Sequence, residues 1–517
     1  MDDAASAWKL HRAEAETEPA RANRAGGESQ ADRAVSLFLA RCRVGKTPEG
    51  DLFAVLRDGP SIATPLRGSG SVRSMIARKY YEAYVSVASS SALADAMQVI
   101  EGLANEADPE LVHTRAAMYG DGILVDLGDA SGRCVEVTPS GWKILERSPV
   151  LFRRTETIGP IAEPKRGGSI DELRSLINVS ESGWPPLVAW MAAAFFPDIA
   201  HPIALLRGEQ GTGKSTAAEM LVRMIDPGPV PLRPPPRDEE QCAITAAGSL
   251  LIAFDNVSSI PPWWSDVLCR IVSGSGWLKR QLYSDHGVAV LKFRRVVLLN
   301  GIDIANLRGD LAERLLLVEL ETIDQAERRG DADLWSRFNA RAPFIYGAIL
   351  DVVSAVLSHL PEVRLETMPR LADFARIAAA LDDATGIGAL PAYIGQAGRV
   401  SEAVLDSDVF AEKLAAMLSE LRGEWSGTAQ DLLIGLPRPA PLPKDWPQTP
   451  QATGSRLTRL APALRERGFA VSQDREAGGA RRRIWRLAPP AELIATADDV
   501  FPERMSVSNL KPQENLQ

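Results

Sequence analysis

One eight-residue phrase constrains this chain more than any other. Gly208-Glu209-Gln210-Gly211-Thr212-Gly213-Lys214-Ser215 matches G-x-x-x-x-G-K-[ST] at every fixed position. A short apolar strand pattern, Pro202–Leu206, runs straight into it, and a helical pattern, Ser215–Ile225, follows. That order builds a phosphate-binding loop. The glycines let backbone N–H groups curl toward phosphate oxygens. The helix adds the positive end of its dipole. Lys214 is placed for the β- and γ-phosphates and Ser215 Oγ for Mg²⁺. Residues Gly208 through Thr216 are therefore the expected ATP-binding set, with ATP and Mg²⁺ as cofactors.

A loop of this kind needs a carboxylate for the metal at the end of a neighbouring strand. The pattern Leu250–Phe254 ends in Asp255, which is expected to join Ser215 on Mg²⁺. The next residue is Asn256, where many ATPases have Glu. An amide can hold a water but cannot take its proton, so the catalytic base stays open between Glu209 and Asp285. A third strand pattern, Val296–Leu299, leads to Asn300, a polar group suited to sensing the γ-phosphate or the attacking water. Arg314 precedes another apolar run and is the expected arginine finger, with Arg308 second. The expected catalytic residues are thus Lys214, Asp255, Asn256, Asn300 and Arg314.

The rest of the chain supplies context. At 517 residues it is too long for one ordinary core. The net charge of −9 excludes a uniformly basic surface, though not a local DNA channel. Four scattered cysteines without CxxC spacing argue against a zinc or disulfide framework and suit a reducing cytoplasm. The longest apolar run, Leu187–Phe196, is bracketed by prolines and is about half of what a membrane span needs. No membrane partner is expected. The expected organisation is a disordered leader (1–30), an N-terminal α+β domain (31–167), a P-loop ATPase domain (168–325), a helical region (326–424), a winged-helix domain (425–490) and a flexible tail (491–517). The fold class is α/β, with an AAA+-like P-loop core between the N-terminal α+β region and the winged helix.

The order of P-loop, Asp-ended strand, strand pair, Asn-ended strand and Arg resembles the superfamily 3 helicases. The stretch Gly208–Leu320 carries the resemblance, together with phrases such as Pro234-Pro-Pro-Arg-Asp-Glu and Asp255-Asn-Val-Ser-Ser-Ile-Pro-Pro-Trp. It is similar to the ATPase half of primase–helicases of phages and integrative mobile elements. The resemblance implies a homo-oligomeric ring, with a hexamer favoured, that moves on DNA using ATP. It also implies that a hairpin between Asp255 and Asn300 grips single-stranded DNA in a central channel. Lys279, Arg280, His286 and Lys292 are the expected contacts, with His286 at the tip and Asp285 out of keeping there. In the C-terminal unit, Leu457, Leu460 and Leu464 form an apolar stripe beside Arg456 and Arg459, an arrangement suited to duplex backbone. Pro462 is expected to kink or restart that helix. No primase acidic set or zinc cluster is visible before residue 168, which leaves room for a separate primase or replication factor. The competing expectation is a P-loop switch in regulation or defence that does not unwind DNA. A small-molecule P-loop kinase is disfavoured by Asn300 and Arg314.

Overall fold

Periodic apolar positions build the first helices, and their caps set the ends. The structure, a computed structural model, describes residues 28–68, 72–280, 288–291, 293–301, 309–324, 330–396, 405, 408–421, 423–443, 446–475 and 483–490. It divides into two compact units. The first, described over residues 28–58, 64–68 and 72–110, holds α1 (Gln30–Leu39), β1 (Cys42–Lys46), β2 (Leu52–Leu56), β3 (Thr64–Pro65), α2 (Val72–Tyr84) and α3 (Ser90–Glu106). Ser29 and Ser89 cap α1 and α3 by accepting from the N–H three residues on. The three helices close over the antiparallel β1–β2–β3 sheet, and Phe38, Ile76, Tyr80 and Ile100 form part of the core.

The second unit takes residues 59–63 and everything from Leu111 onward. It opens with β4 (Val112–His113), β5 (Ala116–Tyr119), β6 (Gly122–Asp126), β7 (Cys134–Thr138), β8 (Gly141–Leu145) and β9 (Leu151–Phe152). Strands β5 to β8 form an antiparallel meander. The expected 31–167 domain is therefore divided near residue 110. The reason lies in the cores: Ile123, Val125, Val137 and Trp142 share a core with helices far along the chain. Trp142 Nε1 donates to Asp351 at 2.8 Å, and Ser354 Oγ donates to Thr138 O at 2.6 Å.

Helices α4 (Asp171–Arg174) and α5 (Trp184–Ala193) lead into β10 (Ile203–Arg207), α6 (Lys214–Ile225), α7 (Glu239–Gly248), β11 (Leu251–Phe254) and α8 (Pro262–Ser273). Sequence reading missed α8, whose opening Pro-Pro-Trp-Trp looks like loop. Pro262 is in fact its first helical residue, and Gly274 closes it in a left-handed conformation at φ 80°. Then come β12 (Trp277–Arg280), β13 (Val288–Leu291), β14 (Val296–Asn300), α9 (Gly309–Ala312) and β15 (Leu315–Glu319). Strands β12 and β13 pair antiparallel, as the hairpin expectation requires.

The central sheet runs β11–β14–β10–β15, all parallel. Its strands are almost wholly buried, which suits a sheet covered on both faces. Beyond β11 a single residue continues it: Arg233 N donates to Ala253 O, and Asp255 N donates to Arg233 O. Three prolines, 234–236, lack the N–H groups that would extend this pairing. At the other edge, Gln396 satisfies both backbone groups of Leu317, at 2.9 and 2.8 Å.

Helices α10 (Asp331–His359) and α11 (Ala372–Thr385) follow. Among the described residues, α10 is the one helix long and apolar enough to cross a membrane. Most of its apolar side chains from Phe338 to Leu357 are core residues packed with α5 and α11.

The chain continues with α12 (Val409–Leu421), β16 (Trp425–Gly427), α13 (Ala429–Gly435), α14 (Pro450–Glu466), β17 (Ala470–Arg475) and β18 (Arg483–Ala488). The strands pair antiparallel in the order β16–β18–β17, and Leu414, Leu432, Leu460, Trp485 and Leu487 share a core. Of the two expected effects of Pro462, a restart does not occur: α14 is one continuous helix through it. Pro462 removes one N–H, the donor that would meet the Thr458 carbonyl. Thr458 is exposed, so water can take that place, while buried Leu457, Leu460 and Leu464 pin both halves.

Candidate nucleotide site

The site grows from the carboxyl ends of three parallel strands. Strand β10 delivers the glycine loop, β11 delivers Asp255 and β14 delivers Asn300. Because β14 lies between the other two, Asn300 is brought between the loop and Asp255. Gly213 initiates α6 at φ 76°, a conformation that favours glycine, so α6 points its N-terminus at the loop. Gly301 is required for a different reason. A Cβ there would lie 2.1 Å from the Val257 carbonyl, which packs across the end of β14.

These elements bring three polar side chains together. Ser215 Oγ donates to Asp255 Oδ1 at 3.0 Å. Asn300 Nδ2 donates to the same carboxylate oxygen at 2.5 Å and to Ser215 Oγ at 3.1 Å. Asn300 is buried, so its orientation is fixed by these bonds. Lys214 Nζ donates to the carbonyls of Gly208 and Glu209 at 2.8 and 2.6 Å. A lysine held on loop carbonyls is positioned to exchange them for phosphate oxygens. Thr212, nearly fully buried, donates to Glu209 O at 3.0 Å and stiffens the turn. Gln210, Gly211, Gly213, Thr216, Asn256, Val257 and Ser258 complete the lining of a cleft of about 560 Å³.

The donor set fits a cation only together with a ligand that brings its own oxygens. Among the described residues no cluster of three metal-binding side chains exists, and the cleft sets the Ser215 hydroxyl beside the Asp255 carboxylate. Mg²⁺ carried by phosphates needs few protein ligands, which matches this set.

Asn256 has a conformational reason to be asparagine. Its φ is +56°, where Asn is tolerated far better than Glu. Its N–H bonds back to Asp255 Oδ1 at 3.0 Å, closing the strand end. Of the two open base candidates, Asp285 lies outside the described residues. Glu209 is exposed and contributes its carbonyl to Lys214.

Sequence reasoning missed the pair that sets the spacing behind the site. Asp226 ends α6, and its Oδ2 accepts from the N–H groups of Leu250 and Leu251, at the start of β11. Arg115, with a fully buried side chain, donates Nε to Asp226 Oδ1 at 2.8 Å and uses its other nitrogens on the carbonyls of Asp126, Gly159 and Pro227. The pair ties the helix whose first turn holds Ser215 to the strand that leads into Asp255. No local signal reveals it, because 111 residues separate the partners.

The remaining expected residues are placed elsewhere. Arg314 pairs with Asp310 at 2.7 Å, and its carbonyl accepts from Ile203 N at the start of β10, the opposite end from the loop. Lys279 and Arg280 stand on β12 opposite Ala289 and Val288. His286, Lys292 and Arg308 lie outside the described residues. Arg459 is exposed on α14. Arg456 departs from the expected DNA-facing row. It is mostly buried against Asp408, at 2.9 Å, and Asp408 in turn accepts from the first N–H groups of α12. Its charge is committed to holding α12 on α14.

Residues 170–402 match the model of the actinomycete integrative conjugative element replication protein family. Residues 410–502 match the C-terminal domain of the same kind of protein. The chain is a replication protein of a mobile element. No curated protein matches the sequence of this replication protein. Among solved structures it is similar to the active helicase Cch of SCCmec type IV, at 13% identity over 88% of this chain and 95% of that one, with a TM-score of 0.40. The C-terminal region of NrS-1 matches at 9% identity, 89% and 100% coverage and a TM-score of 0.41. The JCV helicase matches at 12% identity over 44% of this chain and 67% of that one, with a TM-score of 0.20. Scores this low establish no shared fold for the replication protein as a whole.

Proposed function

We propose that this replication protein is an ATP-dependent DNA helicase or translocase of the superfamily 3, AAA+-like type, acting as a ring in replication of its element. The observation that carries the reading is the convergence of Ser215, Asp255 and Asn300 beside the Lys214 loop, with hydrogen bonds of 2.5 to 3.1 Å. Bound Mg²⁺ would neutralise charge between the phosphates. Lys214 would hold the β- and γ-phosphates, Ser215 and Asp255 would take the cation, and Asn300 and Asn256 would orient the attacking water. The β12–β13 hairpin supports a single-stranded DNA contact through Lys279 and Arg280. The α13–α14 helices with the β16–β18–β17 sheet support a winged-helix reading, in which Arg459 faces duplex backbone.

A second reading, an ATP-binding switch with little turnover, is favoured by one feature: Asn256, which lines the cleft next to Asp255, carries an amide that cannot take a proton from the attacking water. ATP turnover with and without single-stranded DNA separates the two. Lys214→Ala is expected to abolish hydrolysis in either case. Wild-type protein is expected to be stimulated by DNA. Unstimulated turnover in a DNA-bound protein would favour the switch, and near-normal turnover by Lys214→Ala would remove the ATPase assignment.

A further inference from the structure

Helix α2, in the first unit, carries chemistry that the nucleotide site does not use. Residues 81–87 at its end are all exposed. Tyr81 is 54% exposed, Tyr84 40%, and Val85 and Val87 each 79%. Two aromatic rings and two valines left together in water mark a contact surface rather than a scattered surface residue. The turn that presents them is also strained. Val85, a β-branched residue, sits at φ +48° while its N–H closes the last helical turn on Tyr81 O.

The charges around these rings indicate what they contact. Helix α2 carries Arg73, Arg78 and Lys79 against a single carboxylate, Glu82. Arg78 and Tyr81 are three residues apart and adjoin on the outward face. Arg33 of α1 lays its guanidinium over the Tyr84 ring, 5.4 Å from the centroid. Glu82 is held below the usual carboxylate range, first by the bond from Lys79, with Arg78 and Arg41 adding to it. Arg33 thus lies over one exposed ring, Arg78 stands about one helical turn from the other, and Lys79 and Arg41 add positive charge around Glu82. A second copy of this face would meet it with like charge, which disfavours self-pairing. A duplex would offer phosphates but no base faces. A single strand offers both.

We propose that Tyr81 and Tyr84, with Arg33, Arg73 and Arg78, form a site for single-stranded nucleic acid, bases stacking on the rings and phosphates meeting the guanidinium groups. The site lies outside the nucleotide cleft and does not depend on ATP turnover. Arg73 already gives one N–H to Ser90 O at 3.2 Å. A guanidinium has five donors, so others remain for phosphate.

The test uses the full chain without nucleotide and a fluorescein-labelled oligo-dT strand. Tyr81→Ala with Tyr84→Ala is expected to weaken binding by about thirtyfold or more, the low end for two lost stacked bases. Tyr81→Phe with Tyr84→Phe keeps the rings and is expected to bind like wild type. Arg78→Ala is expected to lower the salt slope by about 0.7, as for one lost phosphate contact. Photocrosslinking to a bromodeoxyuridine strand is expected to label the peptide containing Tyr81 and Tyr84. Unchanged affinity in the alanine variant, or crosslinks confined to other peptides, overturns the proposal. So does an alanine variant that changes size by light scattering while its affinity for the strand stays the same, because the face would then join copies of the chain.

Discussion

At the scale of single residues, the least usual position is Asn256. Two explanations compete for it: the backbone needs a residue that accepts φ +56°, or the cleft needs its amide. Glycine separates them, since it accepts that backbone and brings no amide. Asn256→Gly is expected to unfold at the wild-type denaturant midpoint while hydrolysis falls about a hundredfold, the scale of one lost positioned polar group. Full activity in that variant would assign the residue to the backbone alone. A second residue makes stability depend on pH. His201 is buried before β10 and its Nε2 meets Ala193 O at 2.9 Å. Burial pushes its pKa down from 6.5 to about 4. The unfolded chain therefore takes up the proton first as pH falls. The contribution is fully present above about 6.5 and is lost between there and about 4, at up to about 1.4 kcal/mol per pH unit. Urea midpoints near pH 5 and near pH 7 check this slope. His201→Asn, which does not titrate, is expected to flatten it even if it lowers stability at both.

At the scale of elements, what was legible depended on how local the signal is. The loop, Asp255 and Asn300 were readable because each is a short phrase attached to an apolar strand. The structure brings them together as parallel strand ends. Helix α8 was not readable, because prolines and tryptophans at its start imitate a loop. The division near residue 110 was not readable either, since composition does not change there and only the partition of buried side chains between two cores reveals it. Arg115 and Asp226 were invisible for the same reason, being partners across a long sequence separation. Helix α14 shows the opposite failure, a strong local rule overridden by packing. Pro462 interrupts the hydrogen-bond ladder, and the core below keeps the helix continuous through it. That tolerance has a cost. Pro462→Ala is expected to stabilise the C-terminal elements by roughly 1 to 3 kcal/mol, since alanine restores the N–H and relieves the ring. Denaturant unfolding followed by tryptophan fluorescence, to which Trp446 and Trp485 of this core contribute, measures it. An unchanged midpoint would mean that the helix is already distorted to accommodate the ring.

At the scale of the whole molecule, the position of Arg314 requires a second copy if it takes part in hydrolysis. Its carbonyl accepts from Ile203 N, at the first residue of β10, whereas the glycine loop follows the last. Five strand residues rise about 16 Å, so the two lie at opposite ends of the strand. An arginine side chain reaches less than half that span, and this one is turned to Asp310. Its own P-loop is out of reach, and only a neighbour's could receive it. Removing it should also leave the local structure intact, because Arg370 independently pairs with both Asp310 and Glu313. Arg314→Ala is therefore expected to fold and to bind ATP normally, yet to lose about a thousandfold or more in hydrolysis, the scale of an arginine finger. Mixing it with Lys214→Ala protein provides the decisive case. In a mixed ring, an intact loop from the first variant faces an intact Arg314 from the second, and part of the activity should return. Turnover measured against mixing ratio, with mass by light scattering in ATP, tests this. If the mixture stays inactive and the protein is monomeric, Arg314 has no catalytic part, and its pairing with Asp310 is the whole of its role.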